Sequence, residues 1–186
     1  MRKNLKAKAY MYPLPVLIVA TYDENGTPNA MNAAWGTICD SEQVAIVLSA
    51  THKTVKNILK TKAFSLSVAD KNNVLPADYV GIVSGNDIKD KLQNTGWTVK
   101  KSEFVNAPII QELPLALECK LVSYDTQTEI CIGEVVNVSI EDSILNEKGK
   151  IDLNKFSPVC YDCDTHGYYT LGERVGDAFS DGKKLK

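Results

Sequence analysis

Apolar side chains recur at every second position in two neighbouring stretches of this chain. Leu115, Leu117, Cys119 and Leu121 alternate with Ala116, Glu118 and Lys120, and Ile130, Ile132, Val136, Val138 and Ile140 repeat that pattern around Gly133. A period of two places one set of side chains on one face of an extended backbone. The pattern therefore predicts two long, half-buried, antiparallel strands. Shorter apolar runs at residues 16–20, 44–48 and 63–68, with a further strand-like segment at 28–35, add more β-structure. Between the first run and the 28–35 segment lies Asp23-Glu24-Asn25-Gly26, whose Asn-Gly pair suits the left-handed dihedrals of a tight hairpin turn.

Helical signals are few. Val55, Ile58 and Leu59 share one face of a helix expected over residues 53–61, with Thr51 placed to cap it. Two short helices are expected between residues 74 and 94, interrupted by Ser84-Gly85-Asn86-Asp87. Many strands and few helices argue against a doubly wound sheet, in which the two alternate. A closed or partly open barrel is the better solution because it leaves few strand edges unpaired. The 186 residues, 44% of them hydrophobic and 24% charged, suffice for one compact domain with an ordinary core, and no repeat or low-complexity linker divides them.

Charge and cysteine usage narrow the functional classes. A net charge of -2 without a dense Lys/Arg stripe gives no reason to expect general nucleic-acid binding. Residues 1–10 are followed by no apolar stretch long enough for a signal-peptide core or a membrane span. Five cysteines, an odd number, suit a reducing compartment, so a cytoplasmic protein is expected. Cys39, Cys119 and Cys131 are read as small buried hydrophobes. Cys160-Tyr161-Asp162-Cys163 with His166 raises metal binding or dithiol chemistry, yet two thiols and one imidazole make an incomplete zinc site, and no metal is expected. The sequence holds no Ser/His/Asp nucleophile arrangement, no Gly-rich dinucleotide fingerprint and no phosphate-binding Walker loop. Ser49-Ala50-Thr51-His52-Lys53-Thr54, in contrast, gathers hydroxyls and backbone amides at a predicted helix start, where unpaired N–H groups favour an anion. Its alternative reading is an N-cap at Thr51 and a solvated Lys53.

Residues 15–23 (Pro-Val-Leu-Ile-Val-Ala-Thr-Tyr-Asp) and 28–35 (Pro-Asn-Ala-Met-Asn-Ala-Ala-Trp) resemble the opening of the flavin reductase-like family, in its flavoredoxin-like branch. The resemblance continues through residues 49–58, Val83-Ser84-Gly85, Asp90-Lys91-Leu92, Tyr169-Thr170-Leu171-Gly172-Glu173 and Ala178-Phe179. It implies a mainly β fold, an FMN-binding split β-barrel of Greek-key antiparallel type with a few short helices. It also implies a homodimer with FMN near the subunit interface, supplied with electrons by NADH or NADPH or by another redox protein.

On this resemblance Ser49, Ala50, Thr51 and His52, completed by Thr54, Asn57 and Lys91, hold the phosphate and neighbouring ribityl atoms. Asn29, Asn32, Ala33, Ala34 and Trp35 border the isoalloxazine edge, and Ser84 and Lys91 lie on a segment folding over the cofactor. The residues taken alone also allow Trp35 and the alanines a packing role and Lys91 a surface role. Relatives often carry a His just before the glycine-containing strand, where this chain has Thr126-Gln127-Thr128-Glu129. The implied activity is an FMN-dependent oxidoreductase reducing an acceptor with NAD(P)H. The alternatives are an FMN electron carrier with little such activity, and a flavin-free barrel with metal at the Cys160–Cys163 segment.

Overall fold

The computed structural model describes residues 1–185. Its strands are β1 (Leu14–Pro15), β2 (Leu17–Tyr22), β3 (Pro28–Ala33), β4 (Gly36–Asp40) and β5 (Gln43–Val47), followed by helix α1 (Lys53–Thr61) and β6 (Ala63–Val68). Helix α2 (Val74–Ile82), β7 (Val99–Lys101), β8 (Pro108–Ile110), β9 (Leu115–Tyr124), β10 (Ile130–Ile140), β11 (Val159–Tyr161) and β12 (Tyr168–Thr170) complete the regular structure. A 3₁₀ turn at Lys91–Thr95 stands where the second short helix of the 74–94 region was expected.

Seven strands form one sheet in the order β3-β2-β6-β9-β10-β5-β4, with every neighbouring pair antiparallel. The edge strands β3 and β4 stand at opposite ends of that order, yet only Ala34 and Trp35 separate them in the chain. So short a link cannot cross a flat sheet of this width. The sheet therefore curls until the end of β3 stands close to the start of β4, which makes a split barrel, mainly β with two α-helices among the described residues. At the seam the Val47 N–H donates to the Trp35 carbonyl at 2.8 Å, and a Cβ on Gly36 would collide with Leu17.

Strand β2 explains its own unbroken apolar run. Val19 faces the barrel interior with Ile46, Leu48, Phe64, Cys119 and Cys131, while Ile18 faces a second core with Ala77, Val80, Trp97 and Val159. Burial on both faces removes the need for alternation. Helix α1 inserts Val55 and Ile58 into the barrel core.

Several local expectations change in the structure. The β2–β3 loop has one left-handed residue, Gly26 at φ 78°, and not an Asn-Gly pair of them. Asp23 organises it instead, its carboxylate accepting from the Asn25 and Thr27 N–H groups at 2.8 and 2.9 Å. The residue capping α1 is His52 rather than Thr51, and Leu59 points outward while Thr54 and Asn57 take the buried side. In β10 the core-facing set is Cys131, Gly133 and Val135, the opposite phase to the one predicted, and Ile130 and Val138 are exposed. Register shifts between Ile132 and Gly133 and between Val135 and Asn137 break the simple alternation there. In β9 the predicted outer residues Ala116 and Glu118 are buried. The Glu118 carboxylate accepts from the Ser102 hydroxyl and the Asn137 amide. Cys39 is exposed on β4, whereas Cys119 and Cys131 are fully buried as expected. Among the described residues no helix is long and apolar enough to cross a membrane.

Gly133 is the position where the barrel wall tolerates no side chain, because a Cβ there would strike the Phe64 ring and lie 3.3 Å from the Cys119 Cβ. Alanine normally stabilises a strand relative to glycine. Here Gly133→Ala is expected to lower stability by about 1–3 kcal/mol in urea unfolding, and an unchanged or higher midpoint would contradict this packing.

Candidate functional site

Three elements converge beside the seam. Strand β3 supplies Asn29 and Asn32, the start of α1 supplies His52, Lys53 and Thr54, and the segment after α2 supplies Ser84 and Gly85, around a cavity of about 200 Å³. An adjoining cleft of about 310 Å³ shares Asn29, Lys53 and Gly85 and adds Asn86 and Lys89. A further cleft shares Asn32, Gly81 and Ile82 with the cavity and opens toward Tyr161, His166 and Tyr168. These spaces form one groove over β3.

Asn29 is the best-defined polar group in that groove. It is 4% exposed, and its Nδ2 donates to the Thr54 hydroxyl at 2.9 Å. Its Oδ1 has no hydrogen-bond partner among the described residues. A buried acceptor without a donor is rare in folded proteins and costs about 1–3 kcal/mol. A Cβ on Gly85 would collide with this same Oδ1, so the missing side chain leaves the amide its space.

The rest of the site is held by bonds that cross between elements. Asn32 Nδ2 donates to the Ala77 carbonyl at 3.1 Å and ties β3 to α2. Asn86 Nδ2 donates to the Thr51 carbonyl at 3.2 Å, its Oδ1 accepts from Lys56 at 3.1 Å, and its N–H donates to Ser84 Oγ at 3.1 Å. The segment around Ser84 is thereby pinned to the start of α1. His52 gives α1 no side-chain cap, so the first-turn N–H groups receive no side-chain acceptor from it.

The residues singled out from sequence divide into two groups. Asn29, Asn32, His52, Thr54, Ser84 and Lys91 border the central cavity, and Ala34 borders the cleft next to it. Asn57 does not reach it; its Nδ2 donates to the Thr21 hydroxyl at 3.0 Å and fastens α1 to β2. Ala33 packs in the barrel core. Trp35 is 64% exposed at the seam and so is not a core residue, and it lines none of the three spaces described above. Thr51 Oγ1 meets Ser49 Oγ at 3.2 Å.

Ser49 and Ala50 are engaged by a residue that sequence reasoning missed. The Ser49 hydroxyl and the Ala50 N–H both donate to Glu129 Oε1 at 2.9 Å, and Glu129 reaches them from a left-handed backbone at φ 59°. The Ala50 N–H and the Ser49 hydroxyl hold this carboxyl below its usual range. The one available signal was the departure noted at Thr126–Glu129. Gly81, Gly85, Asp78, Tyr161, His166 and Tyr168 also line the groove without having been marked as site residues.

Lys91 is buried rather than a surface lysine. Its ammonium donates to the Val80 and Val83 carbonyls at 2.8 and 2.6 Å, closing the carboxyl end of α2. Burial pushes its pKa down from 10.5 to about 8.

A curled antiparallel sheet whose edge strand, α1 and α2 enclose a polar groove is the split barrel of the flavin reductase-like class. The family described as flavin reductase like domain matches residues 9–166, and this chain belongs to it, in the flavoredoxin branch. The flavoredoxin of Desulfovibrio vulgaris (Miyazaki F) is 38% identical, with 98% of this chain and 100% of that chain covered and a TM-score of 0.93. The flavoredoxin from Methanosarcina acetivorans is 27% identical over the whole of both chains, with a TM-score of 0.90. The FMN-binding domain of a flavin reductases-like enzyme from Shewanella baltica OS155, 23% identical over 88% of both chains, shares the fold with a TM-score of 0.79.

The Lys91 environment has a pH signature. The unfolded chain keeps the ordinary value of 10.5, so between about 8 and 10.5 it binds more protons than the folded chain. The contribution of Lys91 to stability therefore rises with pH across that window. In urea unfolding from pH 7 to 10 the wild type is expected to gain stability relative to Lys91→Met, while the buried Cys119 and Cys131 thiols, pushed up by burial, act in the opposite direction in both proteins; Lys91→Met also unfolds more easily at neutral pH because two carbonyls lose their donor. Identical pH profiles for the two proteins would contradict the assignment.

Proposed function

We propose that the central cavity and the adjoining cleft toward Lys89 hold FMN, with the ring at the Asn32 end, and that the protein is an oxidoreductase passing electrons from NADH or NADPH through that flavin to an acceptor. The observation that carries this reading is the buried, unpartnered Asn29 Oδ1, which suits a hydroxyl donor of a polyol chain. Family membership and the likeness to two flavoredoxins support it. The donor set fits the group. His52, Lys53 and the first-turn N–H groups of α1 would face the phosphate, with Lys89 at the outer end of the same groove. Asn29, Thr54 and Ser84 would meet the ribityl hydroxyls, and Asn32 and Ala34 would border the ring.

When bound, FMN supplies the one- and two-electron chemistry, and the protein binds and orients it. Glu129 takes up the Ser49 and Ala50 donors, which leaves the anion to the His52–Thr54 end of the loop. Lys91 holds the end of α2 in place, and through it the Ser84–Gly85 segment. No side-chain acid or base is required for electron entry.

A carrier with little NAD(P)H activity is the second reading, favoured by the 38% identity to a flavoredoxin and by the exposed Ile82 beside the groove, which offers an apolar contact for a partner protein. A homodimer belongs to the same proposal. Ile38 on β4 is 78% exposed, and Val175 and Phe179 in the carboxyl-terminal segment are 92% and 97% exposed, which suits a surface covered by a second copy. Unpaired thiols suit a cytoplasmic setting.

Protein mixed with FMN and desalted is expected to keep the flavin absorption band, and anaerobic NADH or NADPH is expected to bleach it. Retained flavin with no bleaching favours the carrier, and loss of all flavin contradicts both readings. Asn29→Leu is expected to weaken FMN binding by about tenfold, the loss of one well-placed hydrogen bond. The solution mass is expected to be twice the 20.4 kDa of the chain, and a 20.4 kDa species with FMN bound would contradict the dimer.

A further inference from the structure

The hairpin of β11 and β12 has no part in the proposed cofactor site, yet it overhangs the same groove. A cleft of about 370 Å³ runs from Asn32, Gly81 and Ile82, which also line the central cavity, to Tyr161, His166 and Tyr168 on the hairpin. A molecule in this cleft would therefore lie beside whatever fills the central cavity.

Two hydrogen-bonded pairs form its far wall. Tyr168 Oη donates to Asp78 Oδ1 at 2.8 Å, clamping the hairpin to α2. Burial and the neighbouring Asp78 push this hydroxyl up to about 12, so its proton stays committed to the clamp. Tyr161 Oη lies 2.7 Å from His166 Nδ1. With Nδ1–H donating, the Tyr161 proton is left free to be given to a ligand. His166 holds this place from a left-handed backbone at φ 59°, a conformation that disfavours residues with a Cβ and recurs at functional sites.

The lining also defines what the cleft accepts. It contains no Lys or Arg among the described residues, and Asp78 contributes a carboxylate, so a phosphate- or carboxylate-bearing molecule is repelled. The central cavity differs in this respect, with Lys53 and Lys91 on its walls. Ala34, Gly81 and Ile82 give the cleft an apolar floor, and the Tyr161 and Tyr168 rings, 6.0 Å apart and tilted by 50°, give it an aromatic wall. Such a site suits a flat, uncharged ring that presents an oxygen to a hydroxyl donor.

We propose that this cleft binds a quinone acceptor and that Tyr161, resupplied by His166, gives the proton required for its two-electron reduction. The proposal rests on the flavin reading above. Bound FMN in its reduced form would supply the hydride, two electrons and one hydrogen nucleus, that the quinone takes up. One carbonyl oxygen takes the second proton as the Tyr161 O–H bond breaks, and the ring becomes a hydroquinone. Tyr161 recovers its proton from His166 Nδ1 as His166 Nε2 takes one from water, the hydroxide leaves to solvent, and tautomer exchange through water restores Nδ1–H, so charge and atoms balance.

The test uses the FMN-loaded protein, reduced anaerobically with one equivalent of dithionite and then mixed with menadione or with ferricyanide, which takes single electrons and needs no proton. Tyr161→Phe is expected to slow reoxidation by menadione about 100-fold, the scale of a lost general acid, while ferricyanide reoxidation is unchanged. His166→Ala is expected to show the same selective loss and to recover with imidazole in the buffer. Independently of flavin, p-cresol added to the protein is expected to shift the His166 ring resonance in NMR. Equal menadione rates in wild type and Tyr161→Phe, or no p-cresol shift, would overturn the proposal. Failure of the wild type to keep FMN would instead overturn the flavin reading, and the p-cresol titration would still decide whether the cleft binds a neutral ring.

Discussion

The two-residue link between β3 and β4 governs the rest of the molecule. Because Ala34 and Trp35 join the two ends of a seven-stranded sheet, the sheet has to curl, and its interior becomes the core that α1 plugs with Val55 and Ile58. The curl also fixes where polar groups collect. Strand β3 lies at the edge, paired on one side only with β2, and its Asn29 and Asn32 turn toward α1 and α2 rather than toward another strand. The groove is thus a consequence of closure, and its polar lining belongs to the edge strand and the two helices packed beside it.

Within that groove the charges are sorted. The end nearest α1 carries His52, Lys53 and Lys89, while the end nearest the β11–β12 hairpin carries Asp78 and hydroxyls. Two charged groups that resemble ligand contacts are in fact committed to the protein. Lys91 closes the end of α2, and Glu129 satisfies the donors of Ser49 and Ala50. Both pin a loop on which the groove depends. The free polarity that remains, Asn29 Oδ1 and the uncapped start of α1, is what a phosphorylated polyol can use.

Much of the fold was legible because it is written in local pattern. The buried run at residues 16–20, the Lys53–Thr61 helix and the two long strands follow from apolar spacing alone. The phase of β10 was not legible, since two register shifts move the core-facing set from Ile130, Ile132 and Val138 to Cys131, Gly133 and Val135. A bulge leaves no mark in a sequence beyond a glycine. Thr51 failed as a cap because the chain enters α1 one residue later, with Thr51 turned toward Ser49. For the groove, resemblance picked out Asn29, Asn32, Thr54 and Ser84, residues that neither periodicity nor spacing distinguishes from ordinary strand and loop positions. Gly85, whose role is to leave Asn29 room, and the Tyr161–His166 pair, which arrives from more than a hundred residues away, depend on contacts that only the folded chain reveals.

The central claim is that Asn29 Oδ1 lacks a partner because a flavin supplies it. A crystal structure of the protein grown with FMN tests this most directly, through the distance from Asn29 Oδ1 to the nearest donor of the bound molecule. A ribityl hydroxyl is expected within about 2.5–3.0 Å of that oxygen, with the phosphate at the start of α1. A flavin seated elsewhere, with Asn29 Oδ1 still unpartnered against Gly85, would contradict it.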